Sequence, residues 1–113
     1  MSGNVWVKSG KVYNLFPEPG VTSTTTGSGV YKDSPYSTFQ ATVTGTGTVS
    51  ATVVIDVSND GTNWVATSLG TITLSGTTSS SDGFATTASW KYVRARVTAI
   101  SGTGATVQVY MGV

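Results

Sequence analysis

A chain of 113 residues has the size of one domain and can bury one core without covalent or metal staples. It contains no Cys and no His, which excludes a disulfide framework, thiolate catalysis and thiolate zinc sites, and removes the commonest general base and pH switch. Six Lys and Arg against five Asp and Glu leave a net charge of +1, which gives no electrostatic footprint for nucleic acid or an anionic membrane.

Met1-Ser2-Gly3-Asn4 runs straight into strand-like sequence. No basic stretch precedes an apolar one there, so no signal peptide is expected, and no apolar run approaches the ~20 residues of a membrane-spanning helix. Val5 to Lys8 and Lys11 to Phe16 flank Ser9-Gly10 and predict a hairpin. Pro17-Glu18-Pro19-Gly20 should end its ladder, because proline donates no hydrogen bond. Val21 to Gly29 is Thr, Ser and Gly, the composition of a loop or a weak edge strand. Residues 1–36 are therefore expected to form a hairpin arm and loop that serves as an interaction element, with residues 37–113 as the core of the single domain.

Ser37 to Thr44 alternates, with Phe39, Ala41 and Val43 on one face. Gly45-Thr46-Gly47 is a predicted turn. Thr48 to Ser58 is the longest predicted strand, with Val49, Ala51, Val53, Ile55 and Val57 inward. Asn59-Asp60-Gly61 offers the positive-φ residues of a tight hairpin, and Asn63 to Leu69 is expected to return from it, with Trp64 packing back over the turn. Gly70 to Leu74 predicts a short strand, Ser75 to Gly83 a loop, and Phe84 to Trp90 a further strand. Tyr92 to Ala99 places Val93, Ala95 and Val97 inward and Arg94 and Arg96 outward. Ser101 to Gly104 is a turn. Ala105 to Val113 closes the series with Val107, Val109, Met111 and Val113 inward and Gln108 and Tyr110 outward, and its end is expected to be tied into the sheet.

Leu15, Leu69 and Leu74 are the only leucines and Glu18 is the only glutamate, so strong helix formers are nearly missing. Thr and Ser make up roughly a third of the chain and suit a pleated, half-solvated surface. About eight short strands with Gly-rich turns, apolar on one face, predict an all-β antiparallel sandwich or barrel.

The chemistry-bearing residues are few. Asp56 and Asp60 could approach each other as a carboxylate pair, but a surface residue and a turn residue account for them better. A calcium site from Asp56, Asp60 and Asp82 lacks a recognisable loop spacing. A nucleophilic serine needs a base beside it, but the chain has no His and Lys91 follows no Ser-x-x-Lys pattern. No catalytic, cofactor or metal residue is assigned. The sharpest surface feature is Arg94 and Arg96 on one strand face with Tyr92 and Tyr110, a composition common to ordinary surfaces, protein interfaces and stacking platforms. The expected protein interface joins Trp6, Tyr13 and Phe16 of the N-terminal hairpin to the face of Arg94, Arg96 and Tyr110, with Trp6 as an exposed aromatic arm.

Three segments carry a resemblance: Val57-Ser58-Asn59-Asp60-Gly61-Thr62-Asn63-Trp64, Thr71-Ile72-Thr73-Leu74-Ser75-Gly76, and Trp90-Lys91-Tyr92-Val93-Arg94-Ala95-Arg96-Val97. Together they resemble the capsid decoration (cement) proteins and related small virion β-domains of tailed bacteriophages, over about residues 50–113. The resemblance implies a jelly-roll-like sandwich on the outer surface of a capsid. It implies a dimer or trimer bridging major capsid protein subunits, made in the host cytoplasm, without catalysis or cofactor. A tail or baseplate subunit and a carbohydrate-binding module remain alternatives, because sugar-binding sandwiches also carry an Asp-Gly-x-x-Trp hairpin.

Overall fold

A computed structural model describes residues 11–113, which form strands and connecting loops without a helix. Strand β4 (Ser37–Ser58) lies at the centre of one antiparallel sheet, between β5 (Gly70–Thr86) and β6 (Tyr92–Gly112). Three short strands, β1 (Val12–Asn14), β2 (Thr25–Thr26) and β3 (Val30–Tyr31), pair with the far edge of β6. The predicted all-β antiparallel class is therefore observed. The number of strands differs from the eight expected, because the segments read as separate short strands fuse into long ones.

The alternation of β4 explains its central place. Phe39, Ala41, Val43, Val49, Ala51, Val53, Ile55 and Val57 all lie in the core, whereas Thr38, Gln40 and Thr44 are exposed. Apolar rows cross the sheet at fixed register: Phe84–Phe39–Met111 in one half, Ile72–Val53–Val97 in the other. Such cross-strand rows are the unit from which a sheet gains its stability.

The three long strands bend at one level. Register shifts fall between Thr44 and Ser50 on β4, where Gly47 has φ 71°, and one more against β6 falls between Thr52 and Val53. Gly102 and Gly104 on β6 and Thr78 on β5 also have positive φ. Residues 45–47, 75–83 and 101–104, expected as turns or loops, lie inside continuous strands. The first and last are bulged bends, and in 75–83 the bulge is confined to the surroundings of Thr78, with Ser79 to Gly83 in regular register with Thr44 to Gln40. A bulge supplies the sharp local twist without ending the ladder, and Gly supplies its unusual backbone cheaply. The bend brings strand ends together. A Cβ on Gly70 would stand 2.6 Å from the Phe84 ring, although a straight strand would hold these residues roughly 45 Å apart. One core cluster accordingly contains side chains from both halves.

Two other expectations are corrected. Asn63 to Leu69 is a loop, held to β4 by Val65 N–H to Val57 O (2.9 Å) and Leu69 N–H to Ile55 O (2.8 Å). The strand through Phe84 stops at Thr86 instead of reaching Trp90.

The described part of the N-terminal segment is stitched along β6. Leu15 N donates to Val109 O, Val21 and Val107 exchange two hydrogen bonds, Gly27 N donates to Ala95 O, and Lys32 N donates to Lys91 O. Leu15 and Phe16 lie in the core. Buried Gln108 fixes the approach, because its Oε1 accepts from Phe16 N at 3.3 Å and from Val109 N at 2.9 Å. Gly20 has φ +124°, and a Cβ there would stand 2.3 Å from Val107 O. Gly20→Ala is expected to destabilise the fold by more than about 1 kcal/mol, since Ala resists that φ and the strap cannot back away from β6 without losing the Val21 hydrogen bonds. Urea unfolding measures the loss.

Candidate interaction surface

Arg94 and Arg96 alternate with core residues on β6 and so project from the outer face of the sheet. Register places Asp56 of β4 directly opposite Arg94. The Asp56 carboxylate accepts from Arg94 Nε at 3.0 Å, and from Arg96 Nε at 3.0 Å and Nη2 at 3.2 Å. The Arg96 contact is thus a two-pronged pair, the geometry for which a guanidinium is suited. Burial pushes the Asp56 carboxyl upward, but hydrogen bonds and charge from Arg96 and Arg94 outweigh it and hold the group below its ordinary range. The same bond to Asp56 raises the Arg96 guanidinium.

The loop after β4 completes the cluster. The Arg94 guanidinium carbon stands 4.3 Å above the Trp64 ring, a cation–π contact. Gly29 lies against the six-membered ring of Trp64, where a Cβ would come within 2.9 Å of Cζ2. Gly61 lets the loop approach the Tyr92 ring, and Tyr92 meets Tyr31 edge to face with centroids 5.4 Å apart. Tyr31 remains exposed.

Asp60 organises the loop instead of a tight hairpin. Its carboxylate accepts from Thr62 N (2.9 Å), Asn63 N (2.8 Å), Asn63 Nδ2 (2.9 Å) and Ser58 Oγ (2.9 Å). Hydrogen bonds from the Asn63 side chain and backbone lead in driving its carboxyl far below the usual carboxylate range. Within Asn59-Asp60-Gly61 only Gly61 has a positive φ. Asp60→Ala should lower the melting temperature more than Asp60→Asn, which keeps one acceptor oxygen for the loop; thermal denaturation at neutral pH compares them.

The predicted interface residues separate in space. Arg94 and Arg96 share the Asp56 cluster. Tyr110 lies beyond the bend, opposite Gln40 and Asn14. Tyr13 is exposed on β1, but Phe16 is only 2% exposed and fills the core, so it offers no surface. Phe16 follows Leu15 into the interior because β1 has ended at Asn14 and Phe16 N bonds the Gln108 side chain, so the strand alternation from which its face was read no longer applies. Trp6 and the Val5 to Lys8 strand lie outside the described residues. The sequence signal that could have found the cluster is Arg-x-Arg on one strand face with one acid on a neighbouring strand.

The acids considered for a metal are spent locally. Asp56 binds the arginines, Asp60 its own loop, and the Asp82 carboxylate accepts from Gly83 N at 2.8 Å. No group of three or more acidic residues stands together among the described residues. At the open end of the sheet, a groove of about 890 Å³ runs between Val12, Tyr36, Thr38, Thr86 and Val113. Val12 and Tyr36 are 69% and 67% exposed beside it. Lys32 lies buried near this end and donates from Nζ to Ser34 O (2.6 Å) and Ala88 O (3.0 Å), tying two loops. Burial first, then the nearby Lys91, lowers its ammonium pKa.

The chain matches no family model, no curated protein and no solved structure.

Proposed function

We propose that this chain is a non-enzymatic structural protein of a bacteriophage virion, a decoration (cement) protein that bridges major capsid subunits. The observation that carries the proposal is the way two of the resembling segments combine. Trp64 of the Ser58–Trp64 loop lies under Arg94 of the Tyr92–Val97 strand, and Gly61 of the same loop abuts Tyr92. The pattern is therefore one architectural unit, as a motif of a building-block protein should be. Its charged groups are occupied in holding loop and strand together, which suits a rigid part in an assembly. The third resembling segment, Thr71 to Gly76, lies on the neighbouring edge strand.

Within this proposal the bent sheet acts as a two-layered sandwich of jelly-roll type. The meeting of Gly70 with Phe84, and one core shared by both halves, support that description. Attachment would come from exposed apolar and aromatic groups such as Val12, Tyr13, Tyr31 and Tyr36. Many weak contacts repeated over a symmetric lattice then hold what one contact cannot.

Cosedimentation with heads that lack the protein tests the function. Saturable binding at a fixed number of copies per head is expected. Absence of binding to heads would remove the decoration role and favour a tail or baseplate location.

A carbohydrate-binding role has one favouring observation, the groove flanked by exposed Tyr36, since a sugar face can stack on such a ring. Trp64 is covered by Arg94, and Trp90 packs against the core, so neither tryptophan supplies an open platform. A glycan array left blank at high protein concentration would dispose of that role.

A further inference from the structure

The sheet has two edges, and the chain treats them differently. On the β6 side, β1, the Val21 bridge, β2 and β3 cover the long strand and leave only outer strands of two or three residues. Short outer strands are one way of blunting an edge. On the other side β5 is outermost, and among the described residues no strand pairs with its outer edge.

Hydrogen-bond parity identifies which groups of β5 face outward. In an antiparallel ladder the N–H and C=O of one residue point the same way, and the direction alternates along the strand. Gly27 N donates to Ala95 O, so Ala95 faces β2, and Arg94 and Arg96 face β4. Their register partners Asp56 and Val54 therefore face β6, and Val53, Ile55 and Val57 face β5. The carbonyls of Val57 and Ile55 do accept on that side, from Val65 N and Leu69 N. Ile72, opposite Val53, and Leu74, opposite Ala51, then bond to β4. Thr71, Thr73 and Ser75 turn their main-chain groups outward. Ser75 N is taken by Ser80 Oγ at 3.3 Å. Thr71 and Thr73 present two donors and two acceptors, and both residues are exposed.

We propose that this edge pairs with the same edge of a second copy, Thr71 of each chain opposite Thr73 of the other, about a two-fold axis through Ile72. The main-chain groups require an extended strand as partner, and three features make that partner a second copy. No charged residue lies between Asp60 and Asp82, so two copies meet here without opposing like charges. The segment has none of the Lys or Pro residues that keep edges single. The arrangement also closes, because among the described residues the covered β6 side leaves one long edge to share, giving a dimer and not a fibre. Four main-chain hydrogen bonds form, and the Ile72 side chains, buried on the core face, extend the apolar row across the axis. An interface this small makes a weak dimer. The pairing does not rest on the capsid proposal and should occur with or without phage heads.

The test is sedimentation velocity on the full chain at concentrations rising to about 1 mM, the range in which weak complexes populate, together with amide exchange at Thr71 and Thr73. A reversible dimer is expected, with protection of both amides that increases with concentration. Thr73→Pro removes an outward donor while leaving the bonds to β4, and should raise the dimer dissociation constant at least tenfold. Thr73→Val, which keeps the donor, should not. Thr73→Lys, with folding checked by circular dichroism, serves if the proline variant fails to fold. A wild-type chain that stays monomeric throughout would overturn the proposal, and so would an undiminished dimer in folded Thr73→Pro or Thr73→Lys. Concentration-independent protection of both amides would mean that the edge is covered within one chain, which also overturns it.

Discussion

Phe39→Ala is expected to remove about 3–5 kcal/mol of unfolding free energy, the range for emptying a buried aromatic site. Phe39 is 1% exposed and stacks at 5.3 Å on Phe84, whose ring also meets Gly70 from the opposite half of the bent sheet. The ring therefore fills the place where the two halves close on each other. A cavity there cannot collapse easily, because Phe39 is paired on both sides, with Phe84 of β5 and Met111 of β6. Domains of this size are stable by about 5–15 kcal/mol, so the loss is a large share of the whole. In urea the midpoint should fall by about 2 M with little change in slope. Gln40→Ala provides the control. It lies next along β4, exposed, and makes a similar change in strand propensity, so its effect should stay within about 0.5 kcal/mol. Equal losses at the two positions would mean that strand propensity governs, not closure of the halves.

That contrast also shows what the sequence makes legible. The inward face of β4 can be read directly, because the apolar residues from Phe39 to Val43 and from Val49 to Ile55 alternate with less buried neighbours; the alternation of burial ends at Asp56, which is buried with its arginines. The continuity of the strands cannot be read so easily. Gly45-Thr46-Gly47 and Ser101 to Gly104 carry the same residues whether the chain stops to turn or bulges within a ladder. The choice is made by neighbouring strands that bend at the same level. The strap has the same difficulty: Thr25–Thr26 and Val30–Tyr31 are too short for any period, and they become strands only because β6 lies beside them. The candidate surface was half legible. Arg94 and Arg96 on one face follow from alternation, but their partner Asp56 is fixed by register across 38 and 40 residues. Register is a tertiary property. Tyr110 shares the parity of the arginines, yet the bend in β6 separates it from them.

Asp56→Ala should cost about 2 kcal/mol at neutral pH and change the environment of Trp64. Removing one partner of a buried ion pair costs about 3–5 kcal/mol when the remaining charge is shut away from water. Here the carboxylate is buried, but the side chains of Arg94 and Arg96 are 24% and 38% exposed, so water takes up part of the loss. Without the carboxylate, the two guanidiniums repel each other across one strand face, and Arg94 has less reason to stay over Trp64. Asp56→Asn keeps the shape and one acceptor and loses the charge, so its loss should be smaller in the same direction. The pH dependence isolates the charge. The Asp56 carboxyl is held below its ordinary value in the folded chain, so its contribution is fully present above the unfolded value of about 3.9. It is lost as the pH falls through the folded value, because the native state must then take up the proton that the unfolded state already holds. The gap in urea midpoint between wild type and Asp56→Asn should therefore be widest at neutral pH and should narrow below about pH 4. Asp60 is present in both proteins and adds acid sensitivity to both, so it leaves the difference between them unchanged. A gap that stays constant from neutral to acid pH would show that Asp56 acts through packing and hydrogen-bond geometry, and that the charges of Arg94 and Arg96 are incidental to holding the loop on the sheet.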